Sequence, residues 1–160
     1  LKILITGGTS ATALKLLKAF KDHQVILADY GDVPSFSSSA YTLISLGVRN
    51  DDTLAHTLLN NCLDQSVDAI LPIQNFEIEA VVKSEVLFNE FNIDLLLPKR
   101  EYLDDYFKLN SEISIDFVVF EHGEVTFSTG ENELIIAQGR ERNLSGAYYF
   151  NSTELSLITI

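Results

Sequence analysis

The chain has 160 residues, is 46% hydrophobic and carries 23 acids against 11 bases, a formal net charge of -12. That length holds one sizeable core, or one full domain plus part of another, and the apolar share is ample to bury it. The acidic balance argues against nucleic acid or an anionic membrane as the partner, and its plainest meaning is solubility.

Cys62 is the only cysteine, which excludes an internal disulfide and a cysteine-based metal cluster and fits a reducing cytoplasm. It falls in the helical pattern Thr53 to Leu63 and is expected to be a small buried hydrophobe. No run approaches the length of a membrane span, and residues 1–6 already read as core strand with no leader before them. The expected setting is cytoplasmic. There is no methionine even at the start, so the natural product is expected to hold residues beyond these.

Taken in order, Lys2-Ile3-Leu4-Ile5 predicts an apolar strand that runs through Thr6 into the turn Gly7-Gly8-Thr9-Ser10. A helix with Leu14, Leu17 and Ala19 on its apolar face follows. Glycines let the backbone approach a ligand, and unpaired amides at the helix start favour a phosphate or carboxylate. The dinucleotide fingerprint G-x-G-x-x-G is not met, because Thr9 and Thr12 stand at its second and third glycines. The turn is therefore either a small-ligand site or a plain tight turn. Gln24 to Asp29 predicts a second strand, and Asp29 lies about twenty residues past the turn, where a ribose-binding acid would be. An acid ending a strand is also simply common.

Gly31 to Ser39 is a loop with Pro34, and Tyr41 to Leu46 a third strand. Asn50-Asp51-Asp52 offers caps to a helix with Leu54, Leu58, Leu59 and Leu63 inside. Asp68 to Ile73 is the fourth strand, with Pro72 marking its end. Gln74-Asn75-Phe76 then opens a helix with Glu77 and Glu79 in its first turn, where the dipole suits them, and Ile78, Val81 and Val82 inside. Ile93 to Pro98 is a fifth strand and Lys99 to Lys108 a short polar helix. This alternation predicts an α/β fold with a doubly wound parallel sheet, whose ligands collect at the strands' carboxyl ends. That rule gathers Gly7, Gly8, Asp29 and Asn75 on one rim.

After Lys108 the rhythm changes. Ser114 to Phe120, Glu124 to Ser128 and Leu134 to Gln138 are expected as strands, with a hairpin turn at His122-Gly123. The division expected is 1–108 and 109–160, the second a small antiparallel β unit. His23, His56 and His122 are not spaced as metal ligands and are expected at the surface.

The order of parts resembles the ATP-grasp superfamily, in particular the carbamoyl-phosphate-synthase-like carboxylate-amine ligases. Ile3 to Gly8 resembles the opening strand and turn of their Rossmann-like pre-ATP-grasp domain. Val67 to Glu77 is similar to the strand that ends in proline and reaches an acid, and Ile93 to Tyr102 to the strand and helix before the central domain. Ser114 to Val125 resembles the hairpin in which Ser-x-Asp precedes a glycine turn, and Gly139-Arg140-Glu141-Arg142 a strand end with arginines facing substrate or phosphates.

The resemblance implies a ligase that phosphorylates a small-molecule carboxylate with ATP and magnesium, an amine then displacing the acyl phosphate. It places the acceptor substrate at Gly7, Gly8, Thr9, Ser10, Asn75 and Glu77, with Arg140 and Arg142 catalytic. The sequence departs from the family at Asp104-Asp105-Tyr106, where an Asp-Lys pair is usual. It also lacks the lysine-bearing strands, the glycine-rich flap and the magnesium-holding Glu and Asn, and the missing segment would fall between Lys108 and Ser114. Phosphoryl transfer depends on that charge neutralisation. The alternative is a non-catalytic binding or assembly module whose apolar end, Leu155 to Ile160, pairs with another chain, a homodimer being one form.

Overall fold

The computed structural model describes residues 1–108 and 114–160, and the chain forms a mixed α/β structure with two sheets. By contacts it divides into Leu1–Leu95 together with Ile160, and Leu96–Thr159. The segment that would lie between Lys108 and Ser114 falls outside the described residues.

In the first unit β1 (Lys2–Ile5), β2 (Gln24–Asp29), β4 (Thr42–Ser45), β5 (Ala69–Leu71) and β6 (Asp94–Leu95) are parallel, while β3 (Phe36–Ser37) runs antiparallel at one edge. The order is β3-β4-β2-β1-β5-β6. Central strands of a parallel sheet are buried on both faces, which is why β1, β2 and β5 read as nearly continuous apolar runs. Leu4 pairs with Ile26 on one side and Ile70 on the other, and Ile3, Leu4 and Ile5 are all buried. Pro72 follows the last residue of β5, as expected of a residue with no ladder donor.

Between strands come α1 (Ala11–Leu16), which passes into a 3-10 turn (Leu17–Phe20), then α2 (Leu54–Asp64), α3 (Asn75–Lys83) and α4 (Glu85–Glu90). The buried face of α1 is Ala13, Leu16 and Phe20, not Leu14, Leu17 and Ala19. Ala13, Leu16 and Phe20 stand at i, i+3 and i+7 on one helical face, which turns Leu14 outward, 48% exposed. In α2, Leu54, Leu58 and Leu59 are inside as expected, but Cys62 takes the fourth place and Leu63 faces outward. Burial pushes the Cys62 thiol up to about 12, so it behaves as a hydrophobe and not a nucleophile. The N-cap of α2 is Thr53, and Asn50 instead accepts from the Asp52 amide within the preceding turn.

In the second unit a 3-10 turn (Arg100–Tyr102) and α5 (Leu103–Tyr106) precede an antiparallel sheet of order β10-β9-β7-β8. It comprises β7 (Phe117–Glu121), β8 (Glu124–Ser128), β9 (Gly146–Phe150) and β10 (Leu155–Leu157). The hairpin turn expected at His122-Gly123 is present, with φ 48° and 83°, the positive pair a two-residue type I′ loop requires. β10 pairs within the chain, Leu155 opposite Phe150, and remains an edge of its sheet.

Residues 134–138 are not a strand. They lie in α6 (Glu133–Glu141), started by the Asn132 side chain, which accepts from the Leu134 and Ile135 amides at 3.1 and 3.2 Å. Asn is a strong N-cap, and Ile135 and Gly139 four residues apart give α6 its buried face. Gly139 rests on the buried Phe120 ring so closely that a Cβ there would lie 2.1 Å from Phe120 Cε1. Gly139→Ala should therefore cost about 2–3 kcal/mol by overpacking, read as a lowered urea midpoint. An unchanged midpoint would mean that α6 does not pack on β7 through this residue. Missed in the sequence are β9, every residue of which is buried, and the short β3, which lies within the loop expected over residues 31–39.

Candidate functional site

At the carboxyl ends of β1, β2 and β5 the chain assembles a polar rim from three segments. Thr6, buried just past β1, breaks the apolar run because its hydroxyl has two partners. It accepts from the Ile73 amide at 2.8 Å and donates to a Glu77 carboxylate oxygen. Tyr30, just past β2, donates its hydroxyl to the other Glu77 oxygen at 2.8 Å, and the Gln74 amide donates to the first at 3.3 Å. Glu77 itself is 0% exposed. Burial pushes its carboxyl up to about 7, with the nearby Asp29 charge adding, against the opposing pull of Thr6, Tyr30 and Gln74. The Tyr30 phenol is driven far above its usual range, first by burial and then by the Glu77 charge.

Asp29 forms the second node. Its Oδ2 accepts from the Thr9 amide and hydroxyl at 3.1 and 2.5 Å, and its Oδ1 from the Tyr30 amide and Gln74 Nε2 at 2.9 and 2.8 Å. Burial works against its ionised form, but these donors prevail and hold its pKa below the ordinary value. A carboxylate has about four lone-pair positions, and all are taken. A ribose hydroxyl could bond Asp29 only by displacing Thr9 or Gln74.

The glycine turn is equally committed. The Gly8 amide donates to Ala28 at 2.9 Å, the Ser10 amide to Gly7 at 2.9 Å, and the Ser10 hydroxyl accepts from the Ala13 amide at 3.1 Å. Thr9 has already bonded Asp29, so the turn meets a carboxylate of its own chain. Over Gly7, whose φ is 64°, lies Ile160: a Cβ added there would be 2.8 Å from Ile160 Cδ1. Ile160 is pinned on both sides, its amide donating to Ile73 at 2.7 Å and its carbonyl accepting from the Asn75 amide at 2.8 Å. Asn75 Oδ1 is buried without a hydrogen-bond partner. Beside it the Arg49 guanidinium stacks on the Phe76 ring at 3.6 Å, and Tyr30 packs on the same ring with centroids 5.4 Å apart.

Gly7, Gly8, Thr9, Ser10, Asn75 and Glu77 all belong to this rim or its immediate support. Arg140 and Arg142 belong to the second unit, at the carboxyl end of α6 and not at a strand end. Arg140 pairs with Glu124 at 3.5 Å, both side chains well exposed. Arg142 binds Asp105 at 2.5 Å and the Tyr106 hydroxyl at 3.2 Å, and lies 4.6 Å over the Tyr102 ring. With Lys108, Gln138 and Glu154 it lines a hollow of about 500 Å³.

The magnesium implied by the resemblance does not fit the rim carboxylates, since Asp29 has no open lone pair and Glu77 is sealed among its donors. Among the described residues no group of three or more His, Cys, Asp or Glu could hold a metal. Likewise, no helix among them is long and apolar enough to cross a membrane. Thr6, Tyr30, Gln74 and Arg49 escaped the sequence reading. The Gln74-x-x-Glu77 spacing, that of a capping box, is the signal that could have pointed to Gln74. No protein-family model matches the chain, and no curated protein matches it.

Proposed function

We propose that the chain is a non-catalytic Rossmann-like binding or assembly module, in which the parallel-sheet unit serves as scaffold. The observation that carries this reading is the saturated rim. Asp29 stands where a ligand's anion would meet the turn, and Ile160 fills the approach to Gly7. Calorimetry of the chain with MgATP tests it. The expected result is no saturable heat in the micromolar range, and micromolar binding would overturn the reading.

The second reading is an ATP-grasp-type carboxylate-amine ligase, or the incomplete remnant of one, using ATP and magnesium on a small carboxylate and an amine. It is favoured by the parallel order β4-β2-β1-β5-β6 followed by a hairpin-bearing unit, the sequence of parts the family would have. In that reading Arg140 and Arg142 neutralise the acyl phosphate, and each must exchange its acidic partner for substrate. In the full-length protein, Arg140→Ala with Arg142→Ala should then abolish ADP release in the presence of MgATP, carboxylate and amine. Unchanged turnover removes the assignment.

A further inference from the structure

At the opposite end of the parallel sheet from the rim, the exposed side of α1 and its 3-10 turn borders a hollow of about 350 Å³. Leu14, Leu17, Phe20 and Ala40 supply its apolar lining, and Lys18, Lys21 and His23 its polar edge. The shift of the buried face to Ala13, Leu16 and Phe20 is what leaves Leu14 and Leu17 on this side. The volume falls within the range of small-molecule sites.

Two features define what fits. In a chain with a net charge of -12, Lys18 and Lys21 place two cations three residues apart on one edge, and neither makes an ion pair among the described residues. His23 Nδ1 is buried with no hydrogen-bond partner, its ring edge-on to Phe20 with centroids 5.8 Å apart. The three histidines were expected at the surface; His56 and His122 are exposed, and His23 is drawn partly inside. His23, Ser39 and Ala40 also line an adjoining hollow at the starts of β1, β2 and β4.

We propose that the hollow binds a small monoanion with an apolar body, its charged end between Lys18 and Lys21 and its hydrocarbon on Leu14, Leu17 and Ala40. An acyl carboxylate is the simplest such molecule. The apolar lining supplies the non-directional part of binding, and the lysines select for negative charge at the mouth. This site is separate from the rim, so it stands whether the chain proves to be a scaffold or a ligase.

Octanoate, titrated below its micellar concentration into the full isotope-labelled chain and followed by amide NMR shifts, tests the proposal. Saturable shifts centred on Leu17, His23 and Ala40 are expected. The uncharged counterpart octan-1-ol should bind at least about tenfold more weakly, and added salt should narrow the difference. Lys18→Glu with Lys21→Glu, both surface changes whose spectra report folding directly, should lower octanoate affinity about tenfold or more. Ala40→Phe should block both ligands by filling the hollow. Equal binding of octanol, shifts centred elsewhere, or no saturation at millimolar octanoate would each overturn it. So would concentration-dependent self-association abolished by Leu14→Glu, which would assign the surface to a second copy.

Discussion

Gly8→Ala should destabilise the first unit by about 3 kcal/mol or more, a large share of the roughly 5–15 kcal/mol that holds a domain folded. A Cβ at position 8 would lie 2.6 Å from the Ala28 nitrogen and 2.8 Å from the Leu27 carbonyl carbon. Both are backbone atoms of β2, whose ladders to β1 and β4 prevent an easy retreat. The substitution would also push away the Gly8 amide, which bonds Ala28 at 2.9 Å. Gly130→Ala supplies the control, because a Cβ there meets nothing nearer than 3.4 Å and the backbone has no positive φ. Urea unfolding should show a much lower midpoint for the first variant and a near-native one for the second. Similar midpoints for both would show that the turn does not lie against β2.

Glu77 carries the other large effect, and it is linked to pH. Its carboxyl rises from an ordinary 4.5 to about 7 on folding, chiefly because burial penalises the charge. The folded chain therefore binds this proton more tightly than the unfolded one. The resulting stabilisation is fully present below about pH 4.5 and is lost as pH rises to about 7, an amount on the order of 3 kcal/mol. Glu77→Gln keeps an acceptor for Thr6 and Gln74 without ionising, so its stability should lose most of this slope. Glu77→Leu leaves the Thr6 and Tyr30 hydroxyls and the Gln74 amide facing an apolar side chain, and should cost about 3–5 kcal/mol. Denaturant titrations of all three proteins from pH 4.5 to 8 check both statements. A Gln variant with the native slope would place the responsible proton elsewhere.

The parallel sheet was legible because its central strands need apolar residues on both faces, and β1, β2 and β5 supply them without a break. The hairpin was legible because His122-Gly123 is a turn between an apolar run, Phe117 to Phe120, and an alternating stretch, Glu124 to Ser128. Residues 134–138 misled because Leu134-Ile135-Ile136 is as apolar as a strand, and the deciding feature is the preceding Asn132 cap. The rim's positions could be read, since strand ends and a Gly-Gly turn mark them. Its chemistry could not. Whether Asp29 faces a ligand or Thr9 is decided by a contact across twenty residues, and Glu77 looks like any early helical glutamate until Thr6 and Tyr30 are brought over it. Ile160, far along the sequence, is joined to Gly7 only by the fold.

That last contact bears on how the molecule is made. Ile160 contributes main-chain bonds to Ile73 and Asn75, so the first unit takes two of its bonds from a residue that follows the second unit in the chain. The first unit is therefore discontinuous in sequence, and its bonds to Ile160 close a loop that spans the antiparallel unit. A fragment cut at Leu95 should accordingly exchange its Asn75 amide proton faster than the intact chain.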